Sequence, residues 1–201
     1  SSAASDVYKR QKQKKKNLSR DHILESALKV IGAEGMAGLT HRSVAAKANV
    51  AHSTVSYYFR TIDDIASNAF KKIRHENRNF MDEQNALLAD TGKKRTPRKL
   101  MEFAAEISKY EFDSGYILQA EQELLLYTTK NEKLRAENKE HVTKGCGVFD
   151  DFLRECGYKN PNGLLIHSFW IGYEKCALEM PEIYDFSDMA DQAMQIIQTF
   201  K

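Results

Sequence analysis

The run from Leu39 to Phe59, LTHRSVAAKANVAHSTVSYYF, constrains this chain more than any other stretch, because it fits two short helices joined by a tight turn. Thr40 can accept a hydrogen bond from a free amide of a first helical turn, and Val44, Ala45 and Ala48 then recur on one face at helical spacing. Asn49 interrupts that face. Asparagine tolerates a left-handed backbone better than other non-glycine residues, so Asn49-Val50-Ala51 can turn the chain while Val50 stays inside. The second helix, predicted over about 51–59, keeps Val55 and Phe59 inward and turns His52, Ser53, Thr54, Ser56 and Tyr57 largely outward. That composition is one of a recognition helix.

Charge is distributed to match. Residues 1–60 hold 11 Lys or Arg against 4 Asp or Glu, whereas residues 61–201 hold 19 against 24, so one end suits a polyanion and the other does not. The run Tyr8 to Lys16, YKRQKQKKK, has no apolar period and reads as a disordered basic arm that tracks phosphates or a minor groove. Ser19 can cap the next helix, with Asp21 near its positive end and Ile23, Leu24, Ala27, Leu28 and Ile31 as its apolar stripe.

From Arg20 to Ile65 the motif order resembles the DNA-binding domain of the TetR family of bacterial regulators: a helix ending in Glu34-Gly35, then LTHRSVAAKANV, then STVSYYF, then an acidic helix start at Asp63-Asp64. Asn49 stands where the family usually has glycine in the turn, Ser56 where it usually has a phosphate-contacting tyrosine, and Ile62 where it usually has lysine. Tyr57, Tyr58 or Arg60 are the alternatives for those phosphate contacts. The resemblance implies that Arg42, with His41 beside it, reaches a base edge or phosphate from the second helix. His52, Ser53 and Thr54 then open the recognition helix in the major groove, and Ser56, Tyr57 and Tyr58 form the phosphate set. A guanidinium can bind guanine O6 and N7 together, and Thr54 can touch a thymine methyl.

The remainder reads as helix after helix. Three prolines, few glycines and no alternating β-branched runs point to an all-α chain. The expected organisation is a basic disordered arm at 1–18, a three-helix helix-turn-helix head at 19–65, and a larger helical body for effector binding and dimerisation at 66–201. A long helix from Thr61 would join head to body. The stretch from Leu165 to Met180 has two apolar faces, Leu165, Phe169, Gly172 and Cys176 on one and Ile166, Trp170, Tyr173, Ala177 and Met180 on the other. Phe186, Met189, Ala190, Ala193, Met194, Ile197 and Phe200 repeat the signal in the last helix, and two such helices per subunit would build a four-helix dimer interface, as the resemblance also implies.

For an enzyme one expects a nucleophile with its base, a metal cluster or a phosphate loop; the chain has no GxSxG, no glycine-rich phosphate loop and no HExxH. Its six histidines are scattered, so neither catalysis nor a metal or other cofactor is expected. Cys146, Cys156 and Cys176 form no CxxC pair and read as reduced thiols of a cytoplasmic protein; no membrane span is expected. The resemblance implies an effector pocket in the body, with Phe103, Tyr110, Tyr127, His141, Phe149 and Trp170 as candidate walls. Glu106 or Glu121, if inward, would favour a cationic ligand. The function expected is a homodimeric regulator, a repressor released from a palindromic double-stranded operator by a small-molecule effector. The alternative is an effector-less architectural protein with weakly specific DNA binding.

Overall fold

Caps written into the sequence begin most of the helices. The computed structural model describes residues 20–201, and among these the chain forms nine helices and no strand. Expectations placed on residues 1–18 and on the Ser19 cap lie outside the described residues. The helices are α1 (Ser2–Gly38), described from Arg20 on, α2 (His41–Ala48), α3 (His52–Tyr58), α4 (Ile62–Asp90), α5 (Pro97–Asp113), α6 (Ile117–Thr128), α7 (Glu132–Glu155), α8 (Gly163–Glu179) and α9 (Phe186–Gln198). Thr40 and Ser43 close a capping box on α2, and Thr61 and Asp64 close one on α4. Thr96, Asn131, Asn162 and Asp185 cap α5, α7, α8 and α9 with their side chains. Asn49 ends α2 at φ 53°, the left-handed conformation its residue type allows.

Two apolar clusters hold the bundle. The first joins the inward faces of α1 to α4, with Val44, Val55, Phe59 and Ile65 at its centre, and continues into the body through Ile117, Ala120 and Leu124 of α6 and Leu134 of α7. The second packs α5, α8 and α9 around Leu118, Leu153, Met189 and Ile197. Residue 65, where the sequence suggested the head would end, falls within the unbroken α4.

Helices α6 and α7 each enter both clusters, and α6 also lies against α1. Gly32 of α1 lies so close to it that a Cβ there would sit 2.5 Å from the Tyr116 carbonyl oxygen. Polar contacts fasten the same seam: the Tyr116 hydroxyl donates to Glu25, Lys29 lies over the Tyr116 ring, and the Met36 amide donates to Glu123 at 3.2 Å. At its far end the Tyr127 hydroxyl donates to Asp63 at 2.7 Å.

The two-faced reading of α8 matches its burial, with Ile166, Tyr173 and Ala177 buried while Leu165 and Gly172 are exposed. The last helix differs from expectation. Phe186, Met189, Ala190, Ala193, Ile197 and Phe200 are all buried in their own subunit, because α9 lies along α5, where Arg98 also pairs with Asp191 at 2.5 Å. Its outward side is polar, carrying Asp188, Gln192 and Gln195.

Candidate nucleic-acid interface and body cavity

The outward face of α2 and α3 is built on a rigid base. Val44 and Val55 are fully buried beneath it, and His22 of α1 bonds the Ala48 carbonyl at 2.9 Å, tying down the end of α2. Arg20 donates to Asn68 and lies 5.2 Å from the Phe59 ring centroid, so α1 and α4 brace the end of α3. Sequence patterning does not reveal these braces, since each joins residues 26 or more positions apart.

On that base Arg42, His52, Ser53 and Tyr57 are exposed, Tyr57 by 71%, and Thr54 and Ser56 are half-buried. The two tyrosines divide their roles: Tyr58 packs against the head's apolar cluster while Tyr57 stands outward, edge-on to it at 5.2 Å between centroids. His41 is half-buried, and its Nε2 bonds the Phe59 carbonyl at 2.8 Å, so its ring joins α2 to the end of α3 beside His52. That bond occupies one of the ring nitrogens a base contact would use.

In the body, a cavity of about 260 Å³ opens between α4, α6, α7 and α8, lined by Arg74 and Arg78, Glu121, His141 and His167 among others. A second of about 250 Å³ adjoins it across His141, Val142 and His167, and is walled by Met101, Phe149, Ile166 and Trp170. Of the six candidates for a pocket, His141, Phe149 and Trp170 line these cavities. The other three do not. Tyr110 is 69% exposed, because its position on α5 faces solvent; Tyr127 turns to Asp63 of the head; Phe103 is buried away from both cavities. Glu106 is exposed as well, whereas Glu121 faces inward.

Sequence reasoning missed Arg74 and Arg78, which come from the polar stretch of α4, and a buried acidic group behind the cavity. The Asn77 amide donates to Glu111 at 3.0 Å, and Trp170 Nε1 donates to Ser108, which donates in turn to Glu174 at 2.6 Å. Burial, with Glu121 and Glu174 nearby, pushes Glu111 up to about 9; burial and Glu121 push Glu174 up to about 8. Both are therefore protonated near neutrality. Burial raises Glu121 too, opposed by Arg74. Arg74 is itself lowered by burial against the pull of Glu121 and Glu137, donates to Asn138, and stacks 3.6 Å from the Phe70 ring centroid.

The imidazoles share this setting. Burial, then Arg74, Arg78 and His167, lower His141 to about 4, and burial and Arg74 lower His167. Among the described residues no group of three or more His, Cys, Asp or Glu is placed to hold a metal, and no helix is long and apolar enough to cross a membrane. The three cysteines are free thiols, Cys156 exposed at the end of α7.

Residues 23–69 match the sequence model of the bacterial regulatory proteins, tetR family. The head therefore carries a TetR-family DNA-binding domain. No curated protein matches the sequence. Solved structures extend the likeness over the body: a transcriptional regulator from Rhodococcus sp. Rha1 is 15% identical and superposes with a TM-score of 0.72 over 90% of this chain and 95% of its own. A Saccharomonospora viridis protein solved with choline is 17% identical, TM-score 0.66, over 90% and 96%. The multidrug binding protein EbrR, solved with ethidium, is 22% identical, TM-score 0.63, over 88% and 96%. At these identities the likeness is one of fold, and the TetR-type head with its helical body is that fold.

Proposed function

We propose that the chain is a sequence-specific transcriptional regulator, a repressor that leaves a near-palindromic operator when a small molecule fills the body cavity. The observation that carries this reading is the outward face of α2 and α3: Arg42, His52 and Ser53 stand exposed on a capped, braced two-helix unit within a TetR-type head. Thr54, Ser56, Tyr57 and Tyr58 flank it, with Tyr57 the phosphate contact best presented, and His41 setting the angle of the unit. Short side chains at the start of α3 admit close approach to base edges, and Arg42 can fork onto guanine.

A dimer supplies the second half-site. The exposed side of α8 suits it: Leu164 and Leu165 are 57% and 44% exposed, and a Cβ on Gly172 would meet open space, room for a helix to pack closely. Helix α9 would then contribute its polar flank rather than a second apolar stripe. Proteins of this fold have been solved in complex with choline and with ethidium, which supports a small-molecule occupant for the cavity here. The effector shifts the heads only through its differential affinity for two arrangements of the dimer. Helix α4, which leaves the head at Thr61 and lines the cavity with Arg74 and Arg78, and helix α6, with Glu121 at the cavity and Glu123 and Tyr127 bonded to the head, are the elements able to carry that difference.

Selection of bound sequences from a random duplex pool at near-physiological salt tests the reading. Enrichment of a two-fold symmetric motif is expected. Uniform retention of all sequences would replace the regulator with an architectural DNA-binding protein.

A further inference from the structure

The cavity's own charges say what kind of molecule it takes. Facing it are two guanidiniums, Arg74 and Arg78, and two imidazoles, His141 and His167, against the one carboxyl of Glu121. Arg74 leans toward that carboxyl and toward Asn138. Neither Arg78 nor the two imidazoles have a hydrogen bond or ion-pair partner among the described residues, although each lines the same space. Such donors grouped around a cavity are satisfied by an incoming acceptor.

The adjoining compartment has the opposite character. Met101, Val142, Phe149, Ile166 and Trp170 wall it, and it meets the charged compartment at His141 and His167. Together the two are of the size that small-molecule sites occupy, on the order of 300–1,000 Å³. We infer that the body binds an amphipathic anion, a carboxylate with an apolar chain or ring, its acidic group held by Arg74, Arg78, His141 and His167 and its apolar part lying against Phe149, Ile166 and Trp170. The inference rests on the reading of the cavity as the effector site.

The acidic group behind the wall does not reverse this. Glu111 and Glu174 line neither cavity and are held protonated by burial, so a cation would first have to displace their protons, while an anion meets neutral carboxyls. The low imidazole pKa values follow in part from the surplus positive charge around them, which an anion would relieve.

The chain has one tryptophan, Trp170, and it lines the apolar compartment, so its fluorescence reports occupancy directly. Full-length protein would be titrated with octanoate, octanol and octylammonium, following Trp170 emission and, independently, heat by calorimetry. Octanoate is expected to bind at least tenfold more tightly than the other two, and Arg78→Gln, at an exposed side chain with no partner to lose, to remove that preference while leaving octanol unchanged. Equal binding of octanoate and octanol, or tightest binding of octylammonium, would overturn the anion assignment and keep the effector cavity. No signal from any of the three would overturn the effector cavity and the assignment with it.

Discussion

The head and the body of this protein place their polar groups in opposite ways. In the head, the residues proposed to act are spread along some 17 positions of two short helices, with Arg42, His52, Ser53 and Tyr57 facing solvent; in the body, Arg74, Glu121, His141 and His167 come from four helices and converge inside. A surface that meets a large polyanion needs its donors outward and can be written in one contiguous stretch. A pocket needs convergence, which only the packed bundle provides. The difference is also energetic, because the body's charges are perturbed by burial while Arg42 and Ser53 stand exposed to solvent.

The strongest way to break the comparison is through the shared core. Phe59 is 2% exposed at the foot of α3, and the same apolar cluster includes Ala120 and Leu124 of α6. Phe59→Ala should cost about 3–5 kcal/mol, and denaturant unfolding followed at Trp170, far along the body, should shift with it. An unmoved Trp170 transition would mean that head and body unfold separately. Next in size, Arg42→Ala should lower affinity for the selected operator by about 1–3 kcal/mol with dimerisation intact; an equal loss on random duplex would make Arg42 a phosphate contact.

Smaller effects sharpen the boundary between the regions. Tyr127→Phe removes the hydrogen bond to Asp63 and should cost about 0.5–1.5 kcal/mol of stability, read as a shift in the denaturation midpoint. The pH dependence belongs to the body. Glu111 and Glu174 bind protons more tightly when folded than when unfolded, so their contribution to stability is full below the ordinary carboxylate range and is lost as pH rises through about 8 to 9. His141, depressed to about 4, acts in the other sense: its contribution is present above about 6.5 and lost as pH falls toward 4. The two carboxyls should therefore lower stability progressively from the ordinary carboxylate range up to about pH 8 to 9, and Glu174→Gln, which keeps an acceptor for Ser108, should flatten that decline. An unchanged slope would place the titration elsewhere.

What could be read from the sequence follows the same division. The capping residues Thr40 and Thr61, the left-handed Asn49 and the buried Val55 and Phe59 are local statements, each decided within a few residues by backbone chemistry, and the structure contains them as read. Helix count and the two faces of α8 follow from periodicity. The misplacements of Tyr110, Tyr127 and Phe103 have one physical source: an aromatic on an amphipathic helix shows that it needs a partner surface, not whether that surface is a neighbouring helix, the head or a cavity. Arg74 and Arg78 were missed for the complementary reason, since helical spacing does not reveal that α7 and α8 close over that side of α4. The outward polar flank of α9 was hidden by a stripe that serves its own core equally well.

The central claim is that the exposed face of α2 and α3 reads sequence rather than charge alone. The most direct measurement is equilibrium binding of the full chain, by fluorescence anisotropy at near-physiological salt, to the enriched duplex and to a scrambled duplex of the same composition. A preference of about 10³-fold or more for the enriched duplex, reduced by Arg42→Ala, is the predicted result. Equal affinity for the two would contradict it.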